Sequence, residues 1–331
     1  MVSLAICGLG NIGKVHLENL QSLRGCRVVG LFDRNLDELR RLAAIAGVKA
    51  YTNAGEVFAD PETDAVVIAT PTGSHREYLV RALEAGKHVF VEKPLAGTLA
   101  DAEVIVRAAA DSSRLAQVGF CERFNVNYLE AKRAVVQGRL GRIRAIQSFR
   151  MAPYAFSDPA WELGVLDTAV HNLDLILWFM GRAPRSVLAR GAQVYQDSSI
   201  PHCVTTLLAF DDGSMATDQV SWVKDDRHPL HFCARSRMVL QGEEGMLEVD
   251  LSRRPSSITT GEGYRQLDTV ILGGPEYYGC LKLQFEFFLR SIESGAPVMA
   301  TVEEALLTER VALAAQASLR SGTEIALEAI R

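Results

Sequence analysis

The chain has 331 residues, enough for two domains and a sizeable core. At 48% hydrophobic and 23% charged residues it has the composition of an ordinary globular protein, and its net charge of −5 offers no broad basic field for nucleic acid or an anionic membrane. No apolar stretch approaches the roughly 20 residues that span a bilayer, and Val2–Cys7 lacks the basic leader of a signal peptide.

The first 120 residues alternate strand and helix patterns. Strands are expected at 2–7, 27–32, 65–70, 88–92 and 115–119, with a weaker one at 48–51. Helices are expected at 11–23, 35–46, 75–86 and 98–112, with an exit helix near 124–138. Runs such as AVVIA and HVFVE are continuously apolar, as strands are when both sheet faces are covered. Right-handed crossovers then place helices on both sides of a parallel sheet, so the N-terminal half is expected to be a Rossmann doubly wound α/β domain.

The first strand ends in Gly8-Leu9-Gly10-Asn11-Ile12-Gly13, and the second ends in Asp33-Arg34. Gly8 suits a sharp turn out of the strand, Gly10 a close approach of the backbone to a pyrophosphate, and Gly13 close packing of helix on strand. Amides at that helix start, with Asn11 and Ile12 in its first turn, favour phosphates. An acid at the end of the second strand accepts both ribose hydroxyls of the adenosine and repels a 2′-phosphate. The cofactor expected is therefore NAD, with NADP as the alternative because Arg34 offers a phosphate partner.

Two further strand ends carry polar groups. Thr70-Pro71-Thr72-Gly73-Ser74-His75 follows AVVIA and suits the nicotinamide side of a cofactor. Ser74 is placed to cap the next helix, and His75 either touches the cofactor ribose or serves in capping and packing. HVFV delivers Glu92-Lys93-Pro94 at the C-terminal end of its strand, where open parallel sheets collect ligands; Lys93 there points to the cofactor rather than to bulk solvent.

From about residue 140 the character changes. A helix at 167–180 is followed by β-rich runs at 186–195, 203–211, 214–223, 232–241 and 245–250, with Asp212-Gly213 as a hairpin turn. Helices near 277–294 and 302–320 close the chain. This half is expected to be an α+β domain with a large, open, mostly antiparallel sheet. Six cysteines (Cys7, Cys26, Cys121, Cys203, Cys233 and Cys280) show no CxxC pair and suit a reducing compartment, so a cytoplasmic location is expected.

On the 167–180 helix, residues 166, 170, 173, 177 and 180 form an apolar stripe, and Asp167, His171 and Asp174 follow it one residue on. A carboxylate one turn from an imidazole orients the ring and raises its basicity, the arrangement of a general acid/base. The spacing alone equally fits a solvated helix face. A metal site of Asp-x3-His-x2-Asp type is the lesser reading, because no other His or Cys grouping has ligand spacing, and no metal is expected.

With these residues assembled, the sequence resembles the Gfo/Idh/MocA oxidoreductases, which include glucose–fructose oxidoreductase and inositol dehydrogenase, over essentially its whole length. GLGNIG, Asp33, ATPTGSH, AGKHVFVEKPLA, QVGFCERFN and DTAVHNLDLILWFMG occur in family order, and AGKHVFVEKP is the most specific. The resemblance implies a dinucleotide-binding domain (1–121) and a substrate-binding and oligomerisation domain (122–331) whose final helix returns to the first. It implies hydride transfer between a nicotinamide and a hydroxyl-bearing carbon of a sugar or cyclitol, and a homodimer or homotetramer formed through the open sheet. Carried over, Lys93 contacts substrate and nicotinamide ribose, Asp167 orients the substrate and His171 is the acid/base. Arg123 and Asp174 meet substrate hydroxyls, and Phe124, Asn127, Tyr154 and Trp161 lie in flanking segments.

The chain departs from the family where a Gly-Gly pair commonly precedes the aspartate, here Glu162-Leu163-Gly164, and where Ala169 replaces a glycine. Two other functions survive within the resemblance: an NAD-dependent glycoside hydrolase using transient redox chemistry, and a non-enzymatic nucleotide-binding sensor. Retention of Lys93, Asp167 and His171 together argues against the sensor.

Overall fold

The structure, a computed structural model, describes residues 1–153, 163–196, 200–223, 235–251, 256–260, 263–267 and 279–330. The chain divides into two compact units, Met1–Asn125 with Gly273–Leu306, and Val126–Leu272 with Leu307–Arg331.

The first unit carries six strands: β1 (Val2–Cys7), β2 (Cys26–Phe32), β3 (Lys49–Tyr51), β4 (Ala65–Ile68), β5 (His88–Val91) and β6 (Ala116–Val118). They are parallel, in the order β3-β2-β1-β4-β5-β6. The order reverses beside β1, and that reversal opens the ligand crevice at the C-terminal ends of the strands. The helices are α1 (Asn11–Gln21), α2 (Leu36–Ala46), α3 (Ala54–Ala59), α4 (His75–Glu84) and α5 (Leu99–Ala110). Local chemistry sets their ends. Asn35 caps α2 by accepting from Glu38 N, and Gly47 closes it in the left-handed region; Thr98 caps α5 through Asp101 N. Ser74 precedes α4 as expected but does not cap it: its hydroxyl lies 2.8 Å from both Thr70 Oγ1 and the Pro71 carbonyl oxygen.

The second unit begins with α6 (Val126–Val136) and β7 (Ile143–Pro153), continues through α7 (Leu166–Met180), and then forms β8 (Ser186–Ala192), β9 (Cys203–Ala209), β10 (Met215–Val223), β11 (Arg235–Gly242), β12 (Gly245–Asp250), β13 (Ser256–Thr260) and β14 (Gly263–Leu267). With the late β15 (Ile325–Ala326) they make a nine-stranded sheet, β14-β13-β12-β11-β7-β10-β9-β8-β15, antiparallel except between β7 and β10. The Asp212-Gly213 turn joins β9 to β10 as its residues predict, with Gly213 at φ +77°.

β7 was not expected, although it lies inside this sheet. Its inward residues include Ser148 and Arg150, while Phe149 and Met151 face outward, so the alternation of burial is intact but the alternation of hydrophobicity is not. The short α3 and strands β13 to β15 were likewise unmarked in the sequence.

Late in the chain come α8 (Gly279–Ser294) and α9 (Val302–Ser321). α8 belongs to the first unit, where Phe285, Phe288 and Leu289 join Leu4, Ile6, Leu17, Leu31 and Phe90 in one core; the boundary between the units falls near the start of α9. Among the described residues no helix is long and apolar enough to cross a membrane.

Candidate active site

The glycine turn has the backbone its residues predict. Gly8 sits at φ +97°, and a Cβ there would stand 2.4 Å from Ala69 O; one at Gly13 would stand 2.0 Å from Gly8 O. Gly10 differs, because its Cβ position has nothing within 4 Å. α1 therefore begins behind an open cradle. Its N-cap, Gly10, offers no side-chain cap and its first turn holds no acid, whereas α2 is capped and carries Asp37 and Glu38 in its first turn. An uncapped, acid-free helix start beside open space fits a dinucleotide pyrophosphate.

Asp33 stands beside this turn, with Oδ2 accepting from Leu9 N at 2.6 Å and Oδ1 from Asn35 N at 2.7 Å. Arg34 is exposed. The residues present suit the ribose-binding end of an NAD-type cofactor.

The ends of β4 and β5 are tied together by His75. The ring is buried, with Nδ1 3.0 Å from Pro94 O and Nε2 2.9 Å from Thr70 O. Burial pulls its pKa down, against the two carbonyls that favour its charged form. His75 thus joins the Thr70-Pro71 loop to the Lys93-Pro94 turn, a packing role rather than a free ribose contact. Lys93 is half-buried. Glu92, expected among the cofactor contacts, turns its carboxylate inward: Oε1 lies 2.7 Å from His16 Nε2, and Oε2 accepts from Lys93 N at 3.2 Å.

In the second unit, Asp167, His171 and Asp174 share α7, but not on a solvated face. Asp167 and Asp174 are buried, as are Thr168 and Asn172; of the polar residues on this helix only His171 is not. The exposed-face reading is therefore corrected: α7 is buried nearly all round, and its polar residues are held inside. Two of them have identified anchors. Trp222 donates its indole N–H to Thr168 Oγ1 at 3.1 Å. Arg150 Nε donates to Asn172 Oδ1 at 2.8 Å, and Asn172 Nδ2 donates to Asp218 Oδ1 at 2.7 Å. Ala169, where the family often has glycine, is a fully buried helical residue.

Arg123, expected to meet substrate hydroxyls, is tied into the first unit. It is 1% exposed, and its Nη1 donates to Met299 O at 2.8 Å and Glu304 Oε2 at 2.6 Å, so the carboxylate it meets belongs to the chain. Phe124 packs edge-on against Phe287. Asn127 is buried on α6. Tyr154, Trp161 and Glu162 lie outside the described residues. Sequence reading missed His16, Arg150 and Asp218; a polar residue at an inward strand or helix position was the available signal. Among the described residues no group of three or more His, Cys, Asp or Glu side chains is placed to hold a metal ion.

Comparison with known proteins finds two family models along the chain. Residues 2–120 match the family model described as an oxidoreductase family with NAD-binding Rossmann fold, and residues 128–248 match the Gfo/Idh/MocA C-terminal domain. Over 99% of both chains it is 27% identical to myo-inositol 2-dehydrogenase of Thermotoga maritima. It is 25% identical to scyllo-inositol 2-dehydrogenase (NAD(+)) of Bacillus subtilis, over 100% of this chain and 97% of that one. A solved scyllo-inositol dehydrogenase from Lactobacillus casei, with bound NAD(H) and scyllo-inositol, superposes with a TM-score of 0.82 at 26% identity, covering 99% of each chain.

Proposed function

The chain belongs to the Gfo/Idh/MocA family of NAD-binding oxidoreductases, and from that premise we propose that it is an NAD-dependent dehydrogenase of a cyclitol or closely related polyol. The observation that carries this reading beyond membership is on α7, where His171 alone of the polar residues escapes burial and Asp167 sits one turn before it. Solvated helix faces do not bury their acids; a positioned acid/base does.

The residues that would hold NAD are Gly8, Gly10, Asn11, Ile12 and Gly13 at its pyrophosphate and Asp33 at its ribose, with Arg34, Thr70, Pro71 and Lys93 at the neighbouring strand ends. Bound NAD supplies the hydride acceptor. In the oxidative direction the Lys93 ammonium donates to the substrate oxygen and stabilises the negative charge developing there. His171 takes the hydroxyl proton, and Asp167 holds the imidazole and meets a neighbouring hydroxyl. Asn127, Tyr154 and Asp174 are the further substrate contacts in this reading. In reduction His171 returns the proton.

The face of the nine-stranded sheet supports self-association as a dimer or tetramer. Leu188 and Leu207 pair in register on β8 and β9 and are half-buried, and Met215 on β10 is exposed, so a short apolar strip on this face reaches solvent, continued by the polar Thr217 and Gln147. Sedimentation would show a monomer if this strip were not covered.

The function is tested by following NADH absorbance with inositols, aldoses, uronates and keto-sugars. Turnover of an inositol establishes the reading. A protein that carries NAD tightly, shows no net NADH change with any of these, and hydrolyses a glycoside overturns it in favour of the redox-neutral glycosidase.

A further inference from the structure

His16 lies on α1, three residues past Gly13, and is fully buried. Its ring stands edge-on to Phe90 and Phe285, with centroids 5.6 and 4.9 Å away, and its Nε2 lies 2.7 Å from Glu92 Oε1. Glu92 is 9% exposed, and its second oxygen accepts the backbone N–H of Lys93 at 3.2 Å. Gly119 packs against the same carboxylate, since a Cβ there would come within 2.9 Å of Oε1. The carboxylate is thus held on three sides, by an imidazole, by the lysine's main chain and by a glycine with no side chain to displace it.

An aromatic core has no need of such a pair. Burying an imidazole and a carboxylate costs desolvation that apolar residues of equal volume avoid, and such groups rarely improve stability. What the pair does is mechanical. It joins α1, whose first-turn amides face the open cradle at Gly10, to the main chain of Lys93 at the end of β5. Helix and lysine belong to different crossover segments, separated in sequence by β2, β3, β4 and β5.

We infer that His16 and Glu92 are positioning residues that set Lys93 against the bound dinucleotide, so that occupancy of the pyrophosphate cradle fixes the place of the lysine. The inference rests on the cofactor and Lys93 roles proposed above. Neither residue reacts; both act through Lys93.

The test compares wild type with His16→Gln, which keeps an N–H donor, and His16→Met, which fills the same space without one. Three quantities are read: NADH affinity by fluorescence, acylation of Lys93 by an anhydride reagent with and without NADH, and turnover of an inositol. In His16→Met, kcat is expected to fall about 10–100-fold, the cost of a reactive group displaced by about 1 Å, while the NADH dissociation constant changes less than about 3-fold. NADH is expected to shield Lys93 from acylation in wild type and His16→Gln, and to lose that effect in His16→Met. A His16→Met protein that melts earlier yet keeps full kcat and full shielding overturns the inference and leaves the pair as core packing. So does wild-type Lys93 that NADH does not shield at all. If wild type turns over no inositol, the proposed function fails on its own, and the acylation comparison still decides the role of the pair.

Discussion

Asp33 Oδ2 accepts the backbone N–H of Leu9 at 2.6 Å, joining the end of β2 to the glycine turn across 24 residues. With Asn35 N on the other oxygen, the carboxylate is fixed while keeping acceptor capacity on both oxygens. Removing it by Asp33→Ala takes away charge-assisted bonds to ribose, each worth about 1.5–3 kcal/mol. The affinity for NADH is expected to fall at least about 10-fold on that basis, while NADPH, freed from repulsion and met by Arg34, loses less or gains. Binding titrations of the two dinucleotides check this. An unchanged ratio would remove Asp33 from cofactor selection.

Gly10 and Gly13 separate cofactor binding from folding. At Gly13 a methyl group meets Gly8 O at 2.0 Å, so Gly13→Ala forces β1 and α1 apart and is expected to cost stability. At Gly10 the backbone is extended and the Cβ direction is open, so Gly10→Ala is expected to fold with an unchanged melting temperature. The same methyl group occupies the cradle and is expected to weaken NADH binding by about 10-fold or more, through lost backbone approach to the pyrophosphate. Calorimetric melts beside NADH titrations give both readings on one protein.

His171 is expected to be worth about 10²–10⁴-fold in turnover, the range of a positioned acid/base. His171→Ala measures it against an inositol with NAD. Asp167→Asn keeps the shape but not the charge that supports an imidazolium, so it is expected to lower kcat and shift the pH at which activity appears. Near-normal turnover in His171→Ala would exclude the ring from proton handling.

The parts of this chain that were legible from sequence are those where local pattern and buried environment agree. β1, β4 and β5 are covered on both faces and read as apolar runs, and the glycine turn carries its own backbone requirements. β7 was hidden because its inward positions include the polar Ser148 and Arg150, and Arg150 finds a partner only in the fold, on Asn172 of α7. The same blindness applied to the site. Within AGKHVFVEKP, Lys87 donates to Asp60 O and Thr63 O and His88 accepts from Leu115 N, so much of the most specific motif serves the fold. Arg123 looked free because Glu304, its partner, is 181 residues away.

Arg123 supplies a direct contrast between a structural and a substrate role. Its guanidinium is buried, but Glu304 is 41% exposed, so the ion pair alone is screened and worth about 1 kcal/mol or less. Burial of the long side chain adds to this, and Arg123→Ala is expected to lower stability by about 2–4 kcal/mol through the cavity and the unpaired Met299 carbonyl. Glu304→Gln is expected to cost little. A substrate-reading Arg123 would instead raise KM with the melting temperature unchanged, so a melt and a saturation curve on the same variant decide it.

Asp218 links the second unit to pH. Burial pushes its pKa up from 3.8 to about 6, against the opposing pull of the Asn172 hydrogen bond and the charge of Arg150. A carboxyl whose folded pKa is raised favours the fold in its neutral form. That contribution is complete below about pH 4 and is lost as pH rises through about 6. The shift corresponds to about 3 kcal/mol between those limits. Asp218→Asn is neutral throughout and still offers an oxygen to Asn172 Nδ2. Whatever its offset at pH 4, the variant is expected to gain on wild type by up to about 3 kcal/mol between pH 4 and 7. Urea unfolding at pH 4, 5, 6 and 7 measures the difference. Parallel profiles for the two proteins would mean that the carboxyl titrates in the fold near its ordinary 3.8, with Arg150 and Asn172 offsetting its burial.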